Sequence, residues 1–405
     1  MKYIVILGDG MADYPVPQLD YKTPLQKACK PNMDFLAKYG QTGMVRTVPE
    51  GVNPGSDTAN LSVMGYNPKL YYTGRSPLEA VSMGVELSDT DVAFRCNLVT
   101  LSDEENYEDK IMMDYSSDEI TSEEAKEIIA DINQHLGTEN MVFYPGISYR
   151  HCLVWKDGPV GLNLTPPHDI LTKRISDYLP PREDGKILLD MMIKSHGFLK
   201  EHPVNKARVS RGLNPANSIW IWGEGRKPSL PKFYDKYKLR GSVISAVDLI
   251  KGIGICAGLK SIGVPGATGN INTNYKGKAE AALRELESGQ DFVYVHIEAP
   301  DECGHRYEIE NKVRSIELID ELVLGTILRG LDQFDDYSIL VLPDHPTPLS
   351  MRTHTSDPVP FVIYRKSNEQ ISGAQGYDES EAAKSGIFIE EGYTLMDRFL
   401  ARTDD

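Results

Sequence analysis

Cysteine is scarce in this chain of 405 residues: Cys29, Cys96, Cys152, Cys256 and Cys303 are odd in number, scattered and without a CxxC pair. That usage excludes a disulfide framework and a zinc knuckle, and it suits a reducing, cytoplasmic setting. Long apolar runs are also missing. No stretch approaches the roughly 20 residues that span a bilayer, and "YIVILGDG" after Met1 is too short for a signal-peptide core. The chain is therefore expected to be neither exported nor membrane-embedded. Positive charge is in short supply, with 43 Lys and Arg against 59 Asp and Glu and a formal net charge of -16. General nucleic-acid binding needs clustered Lys and Arg and is disfavoured; a small anionic substrate has to meet a local basic pocket. No internal repeat or low-complexity segment stands out.

What is present points to a two-domain α/β protein. The length exceeds the size at which one hydrophobic core stops growing, and an apolar share of 40% is that of a globular chain. Three β-type runs, "YIVILGDG" at 3–10, "DFVYVHIEAPD" at 291–301 and "YSILVLPDH" at 337–345, each end in an acidic loop. Such runs read as strands of a parallel sheet buried on both faces. Helical patterns follow the first two, "TPLQKACKPNMDFLAKYG" and "NKVRSIELIDELVLGTILRGL". The alternation predicts a doubly wound, mostly parallel sheet, with ligands beyond the carboxyl ends of its strands. The middle of the chain differs: an amphipathic helix in "TSEEAKEIIADINQHLG", a strand in "RHCLVWKDGP", then Pro-rich loops. Residues 88–222 are read as a smaller α+β domain inserted into one formed by 1–87 and 223–405.

At the predicted strand ends lie Asp9, Asp301, His305, Asp344 and His345, with His354 slightly later in "MRTHTSDPVP". Singly, each has an ordinary explanation as a turn residue or helix cap. Jointly they are a metal signal. Three carboxylates at one sheet edge would repel and raise one another's pKa, a conflict that two divalent ions remove. Imidazoles among carboxylates suit Mn²⁺ or Zn²⁺, whereas an oxygen-only set would suggest Mg²⁺ or Ca²⁺. Ser56 in "GVNPGSDTANLSVMGYNP" enters an apparent helix from a Gly/Pro-rich turn. There it is either a cap, a task Asp57 shares, or a nucleophile beside backbone N–H groups able to hold phosphate.

The motifs "GDGMAD", "NPGSDTANLSVMGY", "YYTGRSPLEA", "PGATGNINTNYKGKAEAAL", "VYVHIEAPDECGH" and "LPDHPTP" occur in this order. In them the chain closely resembles, over nearly its whole length, the cofactor-independent phosphoglycerate mutases of the archaeal type, within the alkaline phosphatase superfamily. The resemblance implies an alkaline-phosphatase-like fold with an inserted domain and a phosphoserine intermediate on Ser56. It implies one metal on Asp301, His305 and His354 and another on Asp9, Ser56, Asp344 and His345. Mn²⁺ is the expected ion, with Zn²⁺ or Mg²⁺ as alternatives, and no bisphosphoglycerate is needed.

A mutase of this kind must retain glycerate while phosphate moves between hydroxyls, and the inserted domain is the expected clamp. Arg150 and His151, His168 and Asp169, and Arg208 and Arg211 are its candidate contacts, since arginine grips phosphate or carboxylate in bidentate fashion. Lys236 adds a charge from the metal-bearing domain. The expected partner is a small phosphorylated hydroxy acid, bound by a monomer or small homo-oligomer, with no nucleic acid or membrane. Three other activities compete. They are phosphotransfer to another alcohol, as in members resembling this chain proposed as homoserine kinases, metal-dependent phosphatase activity, and non-catalytic binding. An intact Ser56 disfavours the last, and the inserted domain disfavours the phosphatase.

Overall fold

The computed structural model describes residues 1–181 and 183–401. Two compact units emerge, one made of Met1–Tyr72 with the chain from Leu230 onward, the other of Thr73–Ser229. The insertion thus starts earlier and ends later than 88–222. Its extra N-terminal piece includes helix Ser76–Ser82, whose Glu79 pairs with Arg95 of the inserted sheet.

In chain order the strands are β1 (Lys2–Gly8), β2 (Gln41–Val45), β3 (Val92–Leu101), β4 (Met112–Asp114), β5 (Met141–Tyr144), β6 (Arg150–Trp155), β7 (Ser218–Arg226), β8 (Gly241–Ile244), β9 (Lys260–Ile262), β10 (Phe292–Ile297), β11 (Tyr337–Leu342), β12 (Val359–Arg365) and β13 (Phe388–Ile389). The first unit holds an eight-stranded sheet in the order β13-β2-β12-β11-β1-β10-β8-β9. β1 lies between β10 and β11 and is parallel to both, and only β12 runs against the rest. The three runs singled out by sequence are these three adjacent strands. They are apolar throughout because both faces are covered, and every residue of β10 and β11 is buried. On one face Ile4, Ile6, Val293, Val295, Ile339 and Val341 pack against helices that include Pro31–Tyr39, Tyr275–Glu287 and Ile309–Leu318. Each such side chain contributes roughly 1.5–3 kcal/mol over its exposed state, which makes the three strand ends a rigid base. The helical pattern after residue 309 is interrupted by a π-helical segment, Ile319–Leu324. Buried Asp320 within it accepts hydrogen bonds from the backbone N–H of Asn32 (3.2 Å) and Met33 (2.7 Å), capping the start of another helix.

The inserted unit is an antiparallel sheet, β4-β3-β6-β5, with β7 also pairing with β3. The amphipathic pattern forms helix Ser122–Leu136, capped by Thr121 and burying Ala125, Ile128, Ile129, Ile132 and Leu136 at helical spacing. With helix Lys186–Leu199 it covers a core that includes Phe94, Leu98, Leu153 and Trp220. The two ends of the unit lie side by side: the Thr73 hydroxyl donates to the Arg226 carbonyl at 2.6 Å. A Cβ at Gly225 would collide with the Thr73 carbonyl, so this close approach requires glycine. Among the described residues no helix is long and apolar enough to cross a membrane.

Candidate active site

Because β11, β1 and β10 are adjacent and parallel, the loops after them open at one sheet edge. Asp9 follows β1, Asp301 lies in helix Ala299–His305 after β10, and Asp344 follows β11. All three are buried. Gly10, at φ 61°, allows the loops to meet, since a Cβ there would lie 2.7 Å from both the Cα and Oδ1 of Asp301. The Lys312 ammonium, fully buried, fixes the floor by donating to Asp13 Oδ2 (2.7 Å) and the Thr347 carbonyl (2.8 Å). The Thr347 hydroxyl in turn donates to Asp301 Oδ1.

Two clusters form on this base. In the first, His305 Nε2 lies 3.3 Å from Asp301 Oδ2, and His354 Nε2 lies 3.3 Å from Asp301 Oδ1. The two Nε2 atoms are 2.9 Å apart, while His305 Nδ1 is 2.9 Å from the Arg352 carbonyl. That carbonyl accepts only if Nδ1 carries the proton, which leaves the Nε2 lone pair of a neutral His305 directed at the cluster. In the second, His345 Nε2 faces Ser56 Oγ at 3.2 Å and Asp9 Oδ1 and Asp344 Oδ2 at 3.5 Å each. The Pro346 carbonyl lies 3.3 Å from His345 Nδ1 and fixes that ring by the same logic.

Ser56 is the first residue of helix Ser56–Val63, and its N-cap residue, Gly55, makes no side-chain cap. Asp57, one residue on, accepts from the first-turn Thr58 N–H (2.8 Å) and from the Tyr72 hydroxyl (2.6 Å), so that part of the capping falls to it and not to Ser56. The hydroxyl of Ser56 is thus turned toward His345. One turn along, the Asn60 side-chain amide donates to the Ser56 carbonyl and to Asp344 Oδ2, both at 2.8 Å, and its oxygen accepts from the Tyr294 hydroxyl at 2.6 Å.

The electrostatics distinguish the carboxylates. Asp344 is surrounded by donors: the N–H groups of Gly10 (3.1 Å) and His345 (2.9 Å) and the Asn60 amide. Burial would raise the Asp301 carboxyl, but hydrogen bonds from His305 and His354, with the neighbouring imidazoles, hold it well below the usual range. The same partnership lifts the His305 imidazole to about 9. Asp9 is different. Burial, then the charges of Asp344, Asp301 and Glu298, push its carboxyl well above the usual range, and its buried Oδ1 has no hydrogen-bond partner. A buried carboxylate with a free oxygen beside other acids fits a cation. Among the described residues, three groups of side chains could hold one: Asp301, His305 and His354; Asp9, Asp301 and His345; and Asp9, Asp344 and His296.

His296 was not foreseen. It occupies an apolar strand run that reads as core; the available signal was its place two residues after Tyr294, on the same face of β10. Asn60 and Thr347 lie in motifs whose acids and histidines carry the stronger local signal, and Ser245 follows β8 outside all of those motifs.

The seven residues expected to bind metal or phosphate meet at this edge; the expected clamp residues divide. Two are corrected. Arg208 is 2% exposed, and its guanidinium donates to the Asn214 carbonyl (2.9 Å), Glu124 Oε2 (2.6 Å) and the Ser117 carbonyl. It is a strut inside the second unit, with no surface for a substrate. His151 is equally enclosed: Nδ1 accepts from the Gly146 N–H at 3.0 Å, and burial pushes the imidazole down to about 3, so it is a neutral core residue. Arg150, His168, Asp169 and Arg211 are exposed. The Arg150 guanidinium lies over the Tyr149 ring, His168 meets the edge of Trp222 at 5.4 Å, Asp169 lies 3.7 Å from His168, and Arg211 pairs with Glu124. Lys236 belongs to the first unit, where its ammonium donates to the Gly65 carbonyl and lies over the rings of Tyr66 and Tyr237.

Comparison with known proteins places this geometry in context. A family model described as 2,3-bisphosphoglycerate-independent phosphoglycerate mutase matches residues 37–205. A curated protein of that name from Methanothrix thermoacetophila is 52% identical over 402 residues, covering 99% of this chain and 100% of its own length. Among solved structures, a protein from Pyrococcus horikoshii is similar with a TM-score of 0.83 at 30% identity, covering 98% of this chain and 96% of its own. A cofactor-independent phosphoglycerate mutase from Thermoplasma acidophilum is similar with a TM-score of 0.69 at 27% identity, covering 99% of each chain.

Proposed function

The chain belongs to the family of 2,3-bisphosphoglycerate-independent phosphoglycerate mutases, and from that membership we propose that it interconverts 2-phosphoglycerate and 3-phosphoglycerate through a phosphoserine at Ser56. The observation that carries the mechanism is the Ser56 hydroxyl, spared from helix capping and 3.2 Å from His345 Nε2.

Asp301, His305 and His354 would hold one divalent cation, and Asp9, Ser56, Asp344 and His345 a second. The free Asp9 Oδ1 and the inward Nε2 atoms support this, and the mixed oxygen and nitrogen donors favour Mn²⁺ or Zn²⁺. When bound, such ions neutralise the carboxylates and lower the pKa of the serine hydroxyl.

The residues of the chain do the rest. Ser56 Oγ bonds to phosphorus as the bond from phosphorus to the substrate oxygen breaks, and the serine proton ends on the released glycerate hydroxyl. In the return step the other hydroxyl's oxygen bonds to phosphorus as the Oγ–P bond breaks, and that hydroxyl's proton ends on Ser56 Oγ, restoring the serine. The Asn60 amide keeps the first helical turn and Asp344 in register throughout. Backbone N–H groups of that turn lack helical acceptors and attract phosphate oxygens. For the substrate's charged groups the exposed Arg150, His168 and Arg211 are the candidate contacts, with Asp169 for a hydroxyl. Lys236 joins them as a candidate cation, its ammonium keeping further N–H donors beside the one it gives the Gly65 carbonyl.

Protein supplied with Mn²⁺ and 3-phosphoglycerate, without bisphosphoglycerate, should form 2-phosphoglycerate. Rapid quenching and intact-mass analysis should find one phosphate on the wild type and none on Ser56→Ala, whose turnover should fall by at least about 10⁴-fold. A fully active Ser56→Ala would end the covalent mechanism. Transfer to homoserine in preference to glycerate, or release of free phosphate alone, would replace the mutase by a kinase or a phosphatase.

A further inference from the structure

His296 and Ser245 lie beneath the site with no role in the reading above. Strand β8 neighbours β10, and Ile244, the last residue of β8, is in register with Val295, so Ser245 just past β8 stands beside His296 of β10. Both are buried, at 3% and 0% exposure. The Val247 N–H donates to Ser245 Oγ at 2.9 Å, Ser245 Oγ lies 3.1 Å from His296 Nδ1, and His296 Nε2 lies 2.9 Å from Asp9 Oδ2. The His296 backbone is held as well, its carbonyl accepting from the buried Lys278 ammonium at 3.0 Å.

The directions of these bonds follow from what each atom can do. Ser245 Oγ already accepts from Val247, so its proton is available for Nδ1. With Nδ1 an acceptor, the ring proton sits on Nε2 and is donated to Asp9 Oδ2. The opposite tautomer would set a bare Nε2 lone pair against a carboxylate oxygen at 2.9 Å. Resting on the two-cation reading of the site, we infer that His296 is a positioning residue: the chain Val247–Ser245–His296 fixes one oxygen of Asp9 so that the other, the unpartnered Oδ1, is presented to the cation shared with His345. Tyr294, two residues earlier on β10, acts through Asn60 on Asp344 in the same way. One strand thereby sets the orientation of both carboxylates.

A competing role is direct ligation, since His296 also lies with Asp9 and Asp344 in a group able to hold an ion. The test is Mn²⁺ binding by the purified full chain, followed as stoichiometry and affinity by electron paramagnetic resonance, together with mutase kinetics. For a positioning residue, His296→Ala still binds two Mn²⁺ at saturation, but one site weakens by about 10–100-fold. Turnover falls at saturating Mn²⁺ while KM for phosphoglycerate changes by less than about twofold, and His296→Gln, which keeps an N–H donor, recovers part of both losses. Ser245→Ala shifts affinity in the same direction by a smaller factor, and it carries the test should His296→Ala not fold. Loss of one Mn²⁺ at saturation would make His296 a ligand. Wild-type affinity in Ser245→Ala and His296→Gln would reduce the chain of bonds to packing; either result overturns the proposal while leaving the mutase reading intact. A wild-type protein that binds neither Mn²⁺ nor Zn²⁺ would instead remove the two-cation reading and this proposal with it.

Discussion

Charged side chains gather in both units, yet with opposite outcomes. In the second unit the acids and bases answer one another: Arg208 and Arg211 share Glu124, and Arg75 and Arg95 share Glu79. Burial pushes the Glu79 and Glu124 carboxyls up, but their arginine partners outweigh it and hold both below the usual range. In the first unit three buried carboxylates face imidazoles, and Asp9 keeps an oxygen with no partner. Charge density alone therefore does not mark a site. A charge that its own protein leaves uncompensated does.

That contrast is broken most decisively by taking the metals away. Chelation should abolish mutase activity, and restoring Mn²⁺ at about a hundred times its Kd should stabilise the first unit by about 2.7 kcal/mol. Hydrogen exchange should then slow in residues 1–72 and 230–401 and stay unchanged in 73–229. Activity surviving chelation, or protection spread evenly over both units, would mean that the first unit's acids are balanced internally like the second's.

Removing a compensated charge should do the reverse. Arg208→Ala leaves Glu124 without its buried partner and should cost about 3 kcal/mol of stability, read from urea unfolding. Its Mn²⁺ affinity should match the wild type. A smaller third effect concerns protons. Since His305 is held at about 9 and binds metal only when neutral, Mn²⁺ affinity should rise with pH up to about 9, by about tenfold per unit for that site. Titration calorimetry in buffers of different ionisation enthalpy should report about one proton released at that site. Least of all, Arg211→Ala, an exposed pair, should change stability by less than about 0.5 kcal/mol. A KM for phosphoglycerate raised tenfold in this variant would show that its charge serves the substrate and not Glu124.

The same contrast explains what could be read from sequence. β1, β10 and β11 were legible because strands buried on both faces have no polar alternation to confuse them, and an acid at the end of each is a local signal. Ser56 was visible as a turn-to-helix serine, although only the arrangement in space relieves it of capping. His296 was hidden because one imidazole within "FVYVHI" looks like strand, and its purpose depends on β8 lying alongside. Arg208 was misread because "KARVSRG" is polar, and its burial follows from Glu124 on a distant helix. The start of the insertion was placed too late since "RSPLEA" continues a run of helices, while Glu79 joins the second unit through Arg95, sixteen residues on. The antiparallel β12 had no local mark at all.

The hydrogen bond from Thr73 to the Arg226 carbonyl has a consequence for how such a chain can be assembled. Two ends held this close present the first unit with a gap that a short connection could bridge, whatever the length of chain between them. Loop-closure entropy grows only slowly with length, and here most of it is absorbed by the insertion's own folding. Once β7 has paired with β3, the nascent polypeptide has in effect been spliced from residue 72 to residue 230. Synthesis of β8, β10 and β11 can then proceed as though the preceding helices had just left the ribosome. A gene fragment for 73–229 should accordingly be portable, able to fold by itself and to be replaced by a turn without unthreading its host.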